Sequence, residues 1–511
     1  MAAATYTTDL VTISTAESVT GYTEPTGSAA GGTPTLENEY FIQGSNCISK
    51  SFNATGVGGL AFTGAAQTLP TDGAAYIWAY FAAPNAMNTK ALGGKQILVG
   101  STAANYRRYY VAGSDTYKYG GWVCYPVNPT VTASATQGTP TTTYATFGYA
   151  ANLTLAISRG SPLGLDVQRI GRGSIEIVGG DLANGYATFL NAAAQNDLVA
   201  NRWGILSLVD ANYKFQGRLL MGTAATAVDF RDSNKNITIQ NTEFVTADFN
   251  LFEVRNTASI IQWTGINIQS LSSVSRGNFL VTDNATVTLS GCTFTDLGTF
   301  TFLSNTTVSD SVFRRCSTIQ HGNSAFSGNR ITNSIDTSAV ISSNPSTIQN
   351  CTFVSSGTGH GLELTVAGTY SFSGNSFTGY GAAGTTNAAI YNSSGGTITL
   401  NVSGGGTVPT VRNSAGSITN IVASANLIFD GLKTGSEVRV YLGTDPNTAT
   451  EIGGVESSGT SFTFSQNYGG QAGYYTIVAL GYVPIYQPIT FSSNEQTITV
   501  VQAVDRTYTN P

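Results

Sequence analysis

Only two histidines, His321 and His360, occur in the 511 residues, so a mechanism needing an imidazole base has two places to find one. His360 lies in Gly357-Thr-Gly-His-Gly361 beside Glu363, which reads as an exposed side chain at a glycine-rich bend; His321 also falls in a loop-like stretch. Glycoside hydrolysis asks instead for two carboxylates about 5–10 Å apart, one held protonated as the acid and the other acting as nucleophile or base. The acids that could supply such a pair are Asp248 with Glu253, Asp283 with Asp296, Asp310, and Glu363. The plain alternative is that each is an isolated, solvated carboxylate. A pectate-type lyase would gather several acids around calcium with a basic residue nearby. Arg255, Arg276, Arg314, Arg315, Arg330 and Arg412 offer the cations, but no dense acidic cluster accompanies them. Arg314 and Arg315, being adjacent, send one side chain to each face of a strand and read as structural. Walker, nucleophile-elbow, zincin and dinucleotide motifs are missing from any strand and helix context that would give them meaning. The residues therefore assign no catalytic, cofactor-binding or metal-ligating position, and no cofactor is expected.

Aromatic side chains are the other chemical resource, with 25 Tyr, 24 Phe and 4 Trp. Trp78 with Tyr80 and Phe81, Tyr106 with Tyr109 and Tyr110, and Tyr117 with Tyr119 and Trp122 form local clusters that suit either a packed core or a platform for sugar rings.

These side chains must be positioned by strands. From about Phe230 to Val422 a short motif recurs, a turn residue followed by two residues and then Phe or Ile: Asn241 to Phe244, Gly265 to Ile268, Gly291 to Phe294, Asp310 to Phe313, Gly328 to Ile331, Asn350 to Phe353 and Gly374 to Phe377. The anchors are spaced by 24, 26, 19, 18, 22 and 24 residues, the length of one coil of a parallel β-solenoid. One such coil cannot bury its inner face alone; stacking the next about 4.8 Å away makes a hydrophobic column. Asn and Gly at the turn suit left-handed bends, and stacked Asn side chains can bond from coil to coil. Cys292 and Cys351 sit two residues before their anchors and read as small coil fillers. With Cys47, Cys124 and Cys316 they make an odd number without metal-type spacing, expected to be reduced and buried.

Before the solenoid, short strand-like runs at sandwich spacing fill residues 41–180. A helix is expected from Thr188 to Asp197, capped by Thr188, within a connector over 181–229. Residues 1–40, with five acids and no Lys or Arg, read as an extended arm or first strand pair. After about residue 424, longer alternating strands indicate a second, smaller sandwich. The fold class expected is all-β: a β-sandwich (41–180), a right-handed parallel β-helix (230–423) and a small immunoglobulin-like or transthyretin-like sandwich (424–511).

Only 10% of residues are charged against a usual ~25%, while 41% are apolar, so the chain is globular and its surface is poor in ions. The net charge of -6 and the absence of a basic cluster argue against nucleic acid. No apolar run approaches a membrane span, and Met1 to Thr20 lacks the basic and apolar regions of a signal peptide.

The seven anchors resemble the right-handed parallel β-helix repeats of phage tailspikes and fibres and of polysaccharide-degrading enzymes. The segment Tyr106 to Pro129, followed by Gly164-Leu-Asp166-Val-Gln-Arg169-Ile-Gly171, resembles concanavalin-like sandwich modules of tailed-bacteriophage structural proteins. These resemblances imply a virion protein made in a host cytoplasm: a capsid decoration, head-fibre or tail-associated fibre protein, docked through residues 1–40 to other virion proteins of the capsid or tail shell. They also imply a homotrimer and contact with host surface glycan. Two other functions fit the same elements, a tailspike-type polysaccharide depolymerase using β-helix carboxylates, and a glycan-binding adhesin.

Overall fold

The computed structural model describes residues 1–507 except 29–30, 53, 82–87, 112–121, 155–162, 198–205, 210, 242–243, 246–248, 273–275, 333, 405, 424, 469 and 493. Asp248, Tyr117 and Tyr119 lie outside the described residues. The chain divides into two compact units, Met1–Thr306 and Thr307–Pro511.

The first unit opens with a sandwich. Val123–Val127, Ala74–Phe81, Leu163–Gly171 and Cys47–Lys50 form one antiparallel sheet. Asn105–Val111, Lys95–Thr102, Tyr144–Leu153 and Gly56–Gln67 form the other. Their inward rows, including Ile77, Ile97, Val99, Tyr109, Phe147, Tyr149 and Leu165, make the common core. Residues 1–40, read above as an extended arm or first strand pair, form short strands that join these sheets and the strand Ser174–Val178. Thr5–Thr8 pairs with Ser174–Val178, Val11–Ser14 with Leu163–Gly171, Tyr22–Thr23 with Gly56–Gln67, and Thr35–Glu37 with Cys47–Lys50. Open sheet edges invite pairing, and this segment covers them.

Parallel stacking begins before Phe230, because Ser174–Val178 already pairs in parallel with Arg218–Met221. Along that sheet Leu219, Phe252, Phe279 and Phe300 stand in register and point inward. A second wall aligns Phe230, Ile261 and Val287, and a third aligns Tyr213, Ile237, Ile268 and Phe294. The helix Phe189–Asp197 starts where Thr188 accepts the Asn191 amide on its hydroxyl. Phe189 then packs against Phe230 and Trp263, covering the first coils with an apolar ring.

The second unit repeats the design. Phe313, Ile331, Phe353 and Phe377 stand in register on one wall, and Val308, Phe326 and Ile348 on another. On the sheet made of Ile319–Gln320, Ser338–Ser342, His360–Leu364, Ile390–Asn392 and Val411–Asn413, the inward row is Ile319, Val340, Leu362, Ile390 and Val411. Gly368–Ser373, Thr397–Ser403 and Ile418–Ala423 add three longer parallel strands. The terminal sandwich sets Ala425–Asp430, Ser461–Gln466 and Gln496–Thr499 against Glu437–Leu442, Thr450–Val455, Ala472–Val478 and Ile485–Thr490, around Leu427, Phe429, Val438, Val440 and Ile477. The molecule is thus all-β, a sandwich followed by a parallel β-helix and a smaller sandwich.

Anchor periodicity holds with one exception. Phe244 lies in the core of the first sandwich, 5.1 Å from the Tyr109 ring, and Ile237 takes its place in the column. The turn belonging to Ile237 is Asn234, at φ 54°; the later turn residues Gly265, Gly291, Asp310, Gly328, Asn350 and Gly374 are all left-handed too. From Gly291 onward the position after each turn residue is buried and polar or small, namely Cys292, Ser311, Asn329, Cys351 and Asn375. Asn329 there donates to the Val308 carbonyl at 2.9 Å and accepts the Ser311 amide at 2.9 Å, and Asn375 bonds Ile348 and Cys351 in the same way. Coil-to-coil bonding by Asn therefore occurs one residue later than the turn. Asn329→Leu strands two buried backbone groups and is expected to cost about 2–3 kcal/mol in denaturant unfolding, whereas Ser343→Ala, at a partly exposed position, should stay within about 0.5 kcal/mol.

Candidate functional site

On the sheet carrying His360–Leu364, the outward row is Ile341, Glu363, Tyr391 and Arg412, in register on four successive strands. A strand's side chains alternate, so His360, three residues before Glu363, should face the interior. It does not, because the amides of Gly361 and Leu362 both donate to the Ala389 carbonyl, at 2.9 and 3.1 Å, and this bulge turns His360 to the same face as Glu363. Gly359 makes the approach possible: it is left-handed at φ 73°, and a Cβ there would meet the Thr337 carbonyl oxygen at 2.7 Å. The result is a groove of about 510 Å³ lined by His360, Glu363, Tyr391, Arg412, Ser338 and Asn387 among others.

The groups in this groove are mutually fixed. Tyr391 and His360 stack, with ring centroids 5.0 Å apart and planes inclined by 19°. The Arg412 guanidinium lies 5.0 Å from the Tyr391 centroid, and its Nη1 is 3.5 Å from His360 Nε2. His360 Nδ1 is 2.8 Å from the Ala388 carbonyl, an acceptor only, so Nδ1 carries the proton. Burial pushes the imidazole below its ordinary value and Arg412 pushes the same way, while the Ala388 carbonyl and Glu363 oppose them. The neutral ring thus presents the Nε2 lone pair. Glu363 accepts the hydroxyls of Ser338 and Ser393, both at 2.8 Å. The arrangement can stack a ring, grip an anionic group through Arg412, accept hydroxyls on Glu363 and take up a proton at His360.

Both histidines are buried, contrary to the exposed bend and loop expected. His321 donates and accepts within the second unit through Ser342 at 3.1 Å and Thr347 at 3.2 Å, away from the groove lining. Among the other acids, Asp283 accepts the Asn256 amide at 2.7 Å, and Asp296 and Asp310 occupy left-handed corners at φ 57° and 51°. Of the arginines, Arg314 and Arg330 are exposed and Arg315 is a left-handed corner, not an alternating strand residue. Tyr391 and Ser338 escaped notice in the sequence because only strand register brings them to Glu363, and register is blurred by unequal coil lengths.

A second groove, of about 350 Å³ in the first unit, contains Asp9, Glu176, Glu253, Arg172, Arg218 and Arg255. Glu176 and Glu253 face the same way on either side of Leu220, two strand spacings or about 10 Å apart. Glu253 is taken by Arg255 at 2.7 Å, and Asp9 accepts the amides of Arg172 and Ser174, both at 2.7 Å. Glu253 and Asp9 are thus engaged in holding the fold together, which suits a structural role better than that of an acid and base pair.

In the first sandwich Trp122 joins Tyr40 and Tyr80, with centroids 5.2–6.3 Å apart and all three rings partly exposed. Trp78, Tyr106 and Tyr109 are buried core. None of the five cysteines is in a disulfide and all are buried, and desolvation pushes the Cys47 and Cys351 thiols up to about 12. Among the described residues there is no group of three or more His, Cys, Asp and Glu placed to hold a metal, and no helix long and apolar enough to cross a membrane.

No protein-family model and no curated protein matches the chain. Among solved structures it is similar to the catalytic domain of a GH87 alpha-1,3-glucanase variant in complex with tetrasaccharides, at 13% identity over 83% of this chain and 89% of that chain, with a TM-score of 0.24. It is also similar to the GH87 alpha-1,3-glucanase catalytic domain in complex with nigerose, at 11% identity over 83% and 89%, TM-score 0.18. A third is the catalytic unit of the thermostable GH87 alpha-1,3-glucanase from Streptomyces thermodiastaticus strain HF3-3, at 10% identity over 78% and 94%, TM-score 0.20. Scores this low transfer no residue role to this chain.

Proposed function

We propose that this chain is a glycan-binding β-helix protein of a particle surface, engaging sugar at the groove of the second unit. The observation that carries the reading is the cluster of Tyr391 with His360 stacked on its ring and Arg412 touching both, beside Glu363 fixed by two serines. An aromatic face flanked by a planar cation and a carboxylate matches the alternation of apolar C–H faces and hydroxyls on a sugar.

Titration of the full chain with a panel of bacterial surface polysaccharides should give saturable binding to at least one. Tyr391→Ala and Arg412→Ala should each weaken it about 10- to 100-fold. A panel without a binder, or a binder indifferent to both substitutions, overturns the reading. The particle is taken from the resemblance to tailed-phage virion proteins, which also supplies the homotrimer and the docking to capsid or tail-shell proteins. Sedimentation that finds only the 53.2 kDa monomer would overturn the trimer.

A further inference from the structure

We propose that the same groove cleaves uronic-acid-containing polysaccharide by β-elimination, with His360 as the base and Arg412 as the carboxylate clamp. The proposal rests on the glycan-binding reading and adds a substrate class and a reaction to it.

The geometry supplies what elimination needs and lacks what hydrolysis needs. Hydrolysis by the usual route takes two carboxylates facing one bond, and Glu363 is the only carboxylate lining this groove among the described residues. Elimination takes one base of the right tautomer and a cation to stabilise the carboxylate as charge builds on it. The Ala388 carbonyl holds the proton on Nδ1, so Nε2 is the basic atom, and the bulge at Gly361 delivers it to the groove instead of the interior. Arg412 Nη1 donates to that nitrogen at 3.5 Å, so a uronate carboxylate that draws the guanidinium onto itself frees the Nε2 lone pair with the adjacent sugar carbon beside it. Tyr391 gives the sugar ring a face to lie on, and Glu363 accepts hydroxyls while its negative charge favours the imidazolium that forms.

In the step itself, Nε2 takes the proton from C5, and the C5–H electron pair moves into the carboxylate, which Arg412 stabilises as the dianionic enolate. Those electrons return to form the C4–C5 double bond as the bond from C4 to the glycosidic oxygen breaks. The imidazolium gives its proton to that departing oxygen, which stays on the neighbouring sugar as a new reducing end. His360 is neutral again, and neither water, oxidant nor cofactor is consumed.

The test incubates the full chain with polygalacturonate, alginate and hyaluronate, and with a neutral glucan as control. The readouts are ultraviolet absorbance of the conjugated product, reducing ends and, separately, binding. The expected result is unsaturated product from at least one uronate polymer and none from the glucan. His360→Gln should lower the catalytic rate at saturating polymer about 10²- to 10⁴-fold, whatever its effect on affinity. Arg412→Lys, which retains the charge but loses the planar fork, should reduce both rate and binding. Uronate binding without unsaturated product overturns the elimination and leaves the binding reading standing. Reducing ends without unsaturation mean hydrolysis and overturn it too, as does a rate unaffected by His360→Gln in protein whose hydrogen exchange is unchanged. Failure to bind any glycan overturns both readings together.

Discussion

Phe353→Ala is expected to accelerate hydrogen exchange in the strand Thr352–Val354 and its neighbour Arg330–Thr332 by roughly 10²- to 10³-fold, the largest loss of any single anchor in the second unit. Phe353 is fully buried, in register with Ile331 on one side and Phe377 on the other, and its ring stacks on Phe377 at 4.8 Å with planes only 9° apart. Truncating a buried Phe removes its transfer free energy and leaves a cavity, together about 3–5 kcal/mol. In a solenoid the neighbouring coil has no other partner for that face, so the loss appears locally, as easier opening of the strands on each side. Phe377, the last of these four anchors and only partly buried, is the comparison. Phe377→Ala should cost less than half as much, since its ring, though in contact with Phe372 and Tyr380 as well as Phe353, is only partly withdrawn from solvent. Equal effects from the two substitutions would mean that the anchors do not work as a stacked column.

What the sequence made legible was the part of the fold that repeats. A left-handed residue followed three positions later by Phe or Ile is a local chemical requirement, so it can be read without knowing which strands pair; Gly265, Gly291, Asp310, Gly328, Asn350 and Gly374 all prove left-handed. The same rule misassigned Phe244, because Asn241 precedes a buried aromatic by the right interval while Asn234 and Ile237, which hold the true coil position, carry a weaker anchor. Residues 1–40 were read only in part: the alternation around Val11 does mark a strand, but Thr5–Thr8 and Val11–Ser14 pair with strands far along the chain, and no local pattern reports a long-range partner. The groove was half legible. Glu363, His360 and Arg412 stood out by type, but their meeting depends on the bulge at Gly361 and on register across three strands, neither of which leaves a mark in residue spacing. Chemistry on a solenoid face is built across coils, so its unit is a column of the sheet and not a stretch of chain.

His321 shows how a residue that looked like a catalytic base acts instead as a pH-dependent part of the core. Both ring nitrogens are held by hydroxyls, those of Ser342 and Thr347, and the ring meets Phe326 edge-on at 6.0 Å. Burial pushes its pKa down to about 4, from about 6.5 in an unfolded chain. Between those values the unfolded state holds the extra proton, so the neutral ring's contribution is fully present above about pH 6.5 and is lost as pH falls toward 4. The gap corresponds to about 3 kcal/mol. His321→Gln keeps a polar side chain that never takes a proton. Denaturant unfolding of the second unit should therefore weaken by about 3 kcal/mol more in the parent chain than in the variant between pH 7 and pH 4. His360 adds to the slope in the same direction, because its pKa is also lowered, and since it remains in both proteins its share cancels in the comparison. Parallel pH profiles for parent and variant would show that His321 is protonated without opening the coil. The hydroxyls would then have turned to accept from the imidazolium, and the core at this position would tolerate a charge that its burial argues against.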